Sequence, residues 1–522
     1  MPAILQLTTD DLQHWRACSR RFWLQRRQPA AVPDNHSPWL AEPAMVAGPA
    51  PEAALRASYP GALFIAPPLS AEDWAGAVQQ TAACLDLGAL QPEGGTLLGA
   101  CLASDDGALV RIDVLTRGQY GLRLFKLRWA TVGNEADVDA VALWAHVAAR
   151  AGLRVQSVGL LLVDTDFVYP GHGCHAGLLR EVDLGPVLGS RPVGPWLTAM
   201  RANERGAEPA TPADAPCLKA IPCGFTAHCA GDAATVGAPP ALVAGAADDP
   251  RGKPVNHPAA LELVGRELAA TLRAEGHHDL RTVPSQRLAE ARHRRMQRAV
   301  LAGAPVLDGG AAELLQAQPG PRHFLRFDTI GFAVPIWAGT RPYQVLPFQW
   351  TCDVQHGTPG LLLHQAFLAD AAGGDPRRAF AHSLVQALGT QGPVLAYNAG
   401  FERNRLRELA LHLADEPALA DALNALLPRI VDLFQITREH FYHPAMAGAW
   451  SLRALTQALA PELAGPVLAD MPAASAQAVF NRALQPGLDA ATRLALRAAL
   501  LANGRRQLQV LRKLVALLAP AQ

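Results

Sequence analysis

The chain has 522 residues, half of them hydrophobic and 18% charged, enough for about three or four domains with sizeable cores, which excludes global disorder. Lys+Arg and Asp+Glu both total 46, so no whole-protein positive field draws in nucleic acid; any such binding must rest on local patches. Only Lys126, Lys219, Lys253 and Lys513 are lysines, and the arginine- and alanine-rich remainder reads as the imprint of a GC-rich genome. No apolar run reaches the length of a membrane span, and MPAILQLTTDDLQHW turns polar too early for a secretory signal. A cytoplasmic protein without membrane contact is expected, in which cysteines serve as ligands or small core residues rather than as disulfides.

Residues 8–27 predict one helix, capped by Thr8 or Thr9, with Leu12, Trp15, Phe22 and Leu24 on an apolar face and Arg16, Arg20, Arg21, Arg26 and Arg27 on a basic one. Residues 28–60, rich in Pro and Ala, read as loop. GTLLGACLA, GALVRIDVL and GLRLFKLRW (95–103, 107–115, 121–129) predict successive strands, followed by a helix over 136–151 and a buried strand over 155–163. Composition then shifts to Pro, Ala, Gly and Asp over 204–259, and 258–317 predicts a small helical segment. Strands at 322–328, 343–354 and 360–369, a helix at 376–389, a strand at 393–397, a helix at 401–413, a short strand at 430–433 and a long helix at 490–518 follow. That is the order of a ribonuclease-H-like α/β domain.

Cys217, Cys223 and Cys229 stand at Cys-x5-Cys-x5-Cys spacing in a Gly- and Pro-containing stretch that can wrap a metal. Thiolates suit zinc and iron–sulfur clusters alike, and the residues leave both open. Cys18 is the best candidate for a fourth ligand, because neighbouring arginines favour the thiolate. Cys84, Cys101, Cys174 and Cys352 are isolated and read as core or incidental.

The C-terminal segments FLRFDTIGFAVPIWAGTRPYQVLPFQW, YNAGFERNRLRELA and RIVDLFQITREHFYHPAMAGAWSLRAL, with the looser LTTDDLQHWRACSRRFWL, VRIDVL and LFKLRWAT, carry a resemblance. The chain resembles the bacterial domain-of-unknown-function 2779 family, whose members look like a RecB-type, CRISPR-associated exonuclease module fused to a DEDD-type exonuclease module. The resemblance implies an α/β protein in which a RecB-like, restriction-endonuclease-type module (1–235) and a ribonuclease-H-like module (319–522) are joined by a linker and helical segment (236–318). It also implies that Cys18, Cys217, Cys223 and Cys229 hold a [4Fe–4S] cluster, with zinc as the alternative. The first gap in the triplet is longer than the usual CxxC.

Both implied nuclease sites depart from the family pattern. The RecB-type site needs an Asp on one strand and Glu-x-Lys on the next, the acids holding Mg²⁺. Asp113 matches the first position, but the next strand reads Lys126-Leu127-Arg128, and Trp144 stands where a helical Gln is expected. The DEDD-type site needs four carboxylates around two metal ions about 4 Å apart. Its first strand, Asp-Phe-Glu-Thr in the family, reads Arg326-Phe327-Asp328-Thr329; Glu402 is kept, Asp432 reads as a supporting group, and Arg506 falls near the last acidic position. Asp328 and Glu402 would then balance Arg326 and Arg506 with no metal at all. A guanidinium about 4 Å from Mg²⁺ repels it by on the order of 8 kcal/mol at an effective dielectric of 20.

The loop Gly339–Gln344 matches the family closely, making Arg341 and Tyr343 candidates to touch a phosphate and a base, set against a plain structured hairpin. Arg287, Arg292, Arg294, Arg295 and Arg298 read as a solvated helix face before a phosphate-binding one. His443 reads as structural, and His277 and His278 have no partner pattern. The expected function is a nuclease-derived iron–sulfur protein that binds single-stranded DNA or RNA with lost or weak hydrolysis. The alternatives are a working exonuclease, which alone would need Mg²⁺ or Mn²⁺, at Asp113 or at the Asp328/Glu402 pair, and a protein-interaction scaffold.

Overall fold

The structure, a computed structural model, describes residues 6–27, 51–86, 95–211, 223–225, 228–229, 261–317, 320–357, 360–371, 373–464 and 475–520. It is a mixed α/β protein that divides into two units, residues 1–254 with 332–343, and residues 255–331 with 344–522. The sequence pattern instead suggests three segments, with boundaries at 235 and 318. No helix among the described residues is long and apolar enough to cross a membrane.

The first unit is built on β1 (Leu7–Thr8), β2 (Leu63–Phe64), β3 (Thr96–Ala103), β4 (Ala108–Arg117), β5 (Leu122–Arg128), β6 (Val155–Val163) and β7 (Leu179–Asp183). They form one sheet in the order β2-β3-β4-β5-β6-β7, with β1 beside β4. Neighbours β3/β4, β4/β5 and β6/β7 run antiparallel and β5/β6 parallel. A parallel pair needs a crossover, and the helix Glu135–Arg150 supplies it. Asn134 starts that helix by a capping box with Asp137, and Val141, Leu143, Trp144 and Val147 bury its apolar face in the core of the sheet.

Two local readings need correction. The expected helix over 8–27 is two helices, Thr9–Ala17 and Ser19–Arg27, because Cys18 is extended (φ −166°, ψ 114°) between them. Thr8 is the N-cap, in a capping box with Asp11. In the stretch read as loop, Pro51–Ser58 is helical, since its alanines and leucine outweigh the prolines around them.

The second unit carries β8 (Val306–Leu307), β9 (Arg322–Ile330), β10 (Leu346–Gly357), β11 (Gly360–Leu368), β12 (Val394–Ala396), β13 (Ile430–Asp432) and β14 (Phe441–Tyr442). Its main sheet has the order β11-β10-β9-β12-β13; the first three strands are antiparallel neighbours, and β12 is parallel to both β9 and β13. Strand alternation divides β9 between two cores. Leu325 and Phe327 pack with Phe380, Leu384 and Leu406 of the helices Arg377–Leu388 and Ala399–His412. Phe324, on the other face, packs with Leu511 and Leu514 of the C-terminal helix Ala490–Leu518. The segment expected as linker and helix contributes Leu272, Leu280 and Met296, all from its helical part, to that second core.

Residues 332–343 lie between β9 and β10 in sequence yet fold with the first unit. There Ala333 and Val334 share a small core with Ala54, Val163 and Leu178.

Candidate functional site

On the C-terminal-helix face of β9, Arg326 and Asp328 follow Phe324 at alternate positions. The helix Ala399–His412 begins just after β12, with Asn398 left-handed (φ 67°) before it, and carries Glu402 in its first turn. These elements, with Gln477, Asn503 and Gln507, line a cleft of about 550 Å³ that also takes in Tyr397 and Phe401. The structure therefore unites Arg326, Asp328 and Glu402, as the sequence leads one to expect. Asp432 stands behind them. Its carboxylate accepts the N–H of Asn398 at 3.2 Å and of Phe434 at 3.0 Å, the supporting role assigned to it.

The electrostatics of the cleft follow from burial. Glu402 is 2% exposed, and its Oε2 has no hydrogen-bond partner among the described residues. Desolvation pushes its pKa up to about 7, against the pull of Arg326 and with the push of Asp432. Asp328, also buried, is raised for the same reason, and Arg326 opposes the shift. The Arg326 guanidinium lies 4.0 Å from the Asp328 carboxylate. One guanidinium and a raised carboxyl pKa thus share the neutralisation of this acidic cleft. Among the described residues, no three His, Cys, Asp or Glu side chains converge closely enough to hold a metal ion.

Arg506 is a correction. It does not join Arg326; its guanidinium donates to the Leu463 carbonyl at 3.2 Å and lines a different hollow. The helix turns about 100° per residue, so neighbours in sequence face different ways. Asn503 and Gln507, four residues apart, present amides to the cleft instead. The helix also approaches the sheet very closely here. A Cβ added at Gly504 would lie 2.5 Å from Thr351 Cγ2 and 2.8 Å from Gln349 Nε2. Gln349 and Thr351 pair across the sheet with Asp328 and Arg326, so this contact fixes one wall of the cleft. A glycine inside a long helical pattern is the sequence signal for it.

In the first unit the residues of the implied second site have partners within the fold. The β4–β5 ladder ends at Val114 and Phe125, and beyond it the Asp113 carboxylate accepts the Leu127 N–H at 2.9 Å. Lys126 lies over the Trp144 ring at 5.8 Å, and Arg128 pairs with the buried Asp137 at 3.3 Å. Trp144 Nε1 donates to Thr9 Oγ1 at 3.1 Å.

Of the four candidate cysteines, Cys217 lies outside the described residues. Cys18 is buried at the helix break and accepts the Arg21 N–H at 3.4 Å; Cys223 and Cys229 are half-buried. Buried Arg20 pairs with Glu208 at 2.6 Å, and His228 meets the same carboxylate at 2.8 Å. This tie holds the residues beside Cys18 and Cys229 in one network.

The remaining candidates have internal partners. Tyr343 (φ 58°) donates its hydroxyl to the Trp129 carbonyl at 2.7 Å, and Arg341 donates to the Asp166 carbonyl at 3.2 Å, both within the first unit. The structured-hairpin reading of this loop is the one its geometry matches. Arg287 pairs with Glu275, Arg295 and Arg298 with Asp308, and Arg292 with Glu290, so acids of the same segment already engage these guanidiniums. His443 Nδ1 accepts the Ala445 N–H at 3.0 Å, and burial lowers its pKa.

Residues 323–451 match the family described as Domain of unknown function (DUF2779), a segment that runs from β9 through β14 and contains Arg326, Asp328, Glu402 and Asp432. Comparison with curated proteins finds no match.

Proposed function

We propose that the second unit is a nuclease-derived module that binds single-stranded nucleic acid in the Arg326–Asp328–Glu402 cleft without metal-dependent cleavage. The observation that carries this reading is the guanidinium of Arg326 standing within 4.0 Å of Asp328, where the resemblance calls for a metal-binding acid. A cation fixed there opposes a divalent ion by several kcal/mol even after solvent screening, which lowers affinity by roughly a thousandfold. The 3-2-1-4-5 strand order of the sheet supports the ribonuclease-H-like origin. The cleft lining suits a nucleotide: Arg326 for phosphate, the amides of Gln477, Asn503 and Gln507 for base edges, and exposed Phe401 for stacking.

Single-turnover assays with Mn²⁺ or Mg²⁺ on single-stranded DNA and RNA, run beside binding titrations, test the proposal. Binding without product is expected. Metal-dependent cleavage lost in Glu402→Ala would establish a working exonuclease instead.

A companion proposal, drawn from the resemblance, is a [4Fe–4S] cluster held by Cys18, Cys217, Cys223 and Cys229; among the described residues Cys18, Cys223 and Cys229 do not by themselves form a metal-holding group. The Arg20–Glu208–His228 tie supports it by linking residues beside the first and last of these ligands. Such a cluster would cross-link positions about 200 residues apart, a structural role. Anaerobic purification with a visible spectrum and iron and zinc analysis distinguishes it from zinc.

A further inference from the structure

The hollow that takes Arg506 has a composition unlike the acidic cleft. It lies between β11 and the C-terminal helix, measures about 630 Å³, and is lined by Arg497, Arg505 and Arg506, with no Asp or Glu among the described lining residues. Ala366, Leu368, Leu501 and Ala502 give it an apolar lining. A smaller hollow of about 230 Å³ shares Leu368 and Arg497 with it and adds Arg493, with one acid, Asp370. From Arg493 to Arg506 the helix rises ~20 Å. Arginines therefore recur along a groove longer than a single phosphate requires.

Two of the guanidiniums are held in place. Arg497 donates to the Leu368 carbonyl and Arg506 to the Leu463 carbonyl, each at 3.2 Å. Arg505 is exposed and has no acidic partner among the described residues. The strand wall is equally ordered. His364 Nδ1 lies 2.7 Å from the carboxylate of Asp353, which is itself buried and paired with Arg512 at 3.0 Å. With Nδ1–H given to Asp353, Nε2 is the ring nitrogen left to contact a ligand in the groove.

We propose that this arginine groove is a second nucleic-acid site, which holds the phosphodiester backbone of a single strand along the C-terminal helix. Guanidinium forks match phosphate oxygens, and the apolar lining accommodates sugars and base faces. An acidic peptide adding to the sheet is the weaker fit. β11 contributes His364, Ala366 and Leu368, side chains of one strand face, rather than the row of edge amides that strand addition reads. The assignment rests on the nucleic-acid reading for its ligand class, but not for its site.

The test is fluorescence anisotropy of labelled oligo(dT) and oligo(U) against salt concentration, with the full chain. Replacing Arg497, Arg505 and Arg506 together by Gln is expected to weaken binding roughly tenfold or more and to reduce the log K against log salt slope by about two. The corresponding triple Lys variant is expected to keep the slope. Arg505→Gln alone touches no bond among the described residues and is expected to reduce the slope by about 0.7, which decides the matter should the triple variant misfold. Unchanged affinity and slope in these variants, with wild-type binding intact, overturns the groove and leaves the cleft as the site. No binding by the wild type overturns the nucleic-acid reading itself. Displacement of the strand by poly-glutamate at equal charge concentration overturns the choice of nucleic acid over acidic peptide.

Discussion

Glu402→Gln tests the electrostatic account of the cleft. The wild-type carboxyl is 2% exposed, lacks a partner for Oε2 among the described residues, and ionises only near pH 7, whereas an unfolded glutamate ionises near 4.5. Between those values the folded state holds a proton that the unfolded chain has released. Stability therefore falls as pH rises through the window from 4.5 to 7 and levels off above it. The full effect of this group is about 3 kcal/mol. Glutamine keeps the shape and stays neutral, so the variant should match wild type near pH 4 and exceed its stability by up to about 3 kcal/mol at pH 8.5. Asp328, raised in the same direction, contributes to both proteins, and the difference between them isolates Glu402. Urea unfolding read by hydrogen exchange in peptides from β9 and the helix Ala399–His412 reports on this unit alone. A variant with the wild-type pH dependence, or one less stable at pH 8.5, would refute the argument that burial of a carboxyl with one unsatisfied oxygen outweighs its backbone hydrogen bonds.

Three further outcomes follow from the same geometry. Gly504→Ala places a methyl 2.5 Å from Thr351 Cγ2 and should destabilise the second unit by about 1–3 kcal/mol in urea titrations, despite the better helix propensity of alanine. Arg326→Asp combined with Asp328→Glu removes the fixed cation and restores the family acids; calorimetry should then detect Mn²⁺ binding at least about a hundredfold tighter than in wild type. Asp113→Ala frees the Leu127 N–H and should cost about 1–3 kcal/mol in the first unit, with nucleic-acid affinity unchanged in anisotropy titrations.

Local patterns carry most of the fold. Alternation over 322–368 yields β9 to β11 within a few residues, and the Thr8 capping box is readable from TTDD. What local pattern does not supply is phase and distance. In a 29-residue helix dominated by Ala, Leu and Arg, no polar stripe fixes which residue faces the sheet, so matching the helix to the family motif, good only to a residue or two, points Arg506 into the cleft that Asn503 and Gln507 line. The fold of residues 332–343 with the first unit depends on partners such as Trp129, which lies 214 residues from Tyr343 and leaves no local trace. The break at Cys18 rests on one extended residue in an otherwise helical pattern.

The displacement of Arg506 alters the chemistry open to the cleft. Two arginines would have neutralised Asp328 and Glu402 outright and left an inert ion-pair cluster. With Arg326 alone, the cleft keeps a buried carboxyl whose protonation state changes near neutrality and one guanidinium shared between two acids. A group held so far from its ordinary pKa costs stability above neutral pH, and a ligand that donates a hydrogen bond to Glu402 would recover some of that cost. A nucleobase amine or a ribose hydroxyl is such a donor. Arg506, meanwhile, lines the neighbouring groove with Arg497 and Arg505. One helix thus presents amides to the acidic cleft and guanidiniums to the basic groove. On the proposed reading, base-reading and backbone-holding chemistry would be separated by the helical step of about 100° from Arg506 to Gln507.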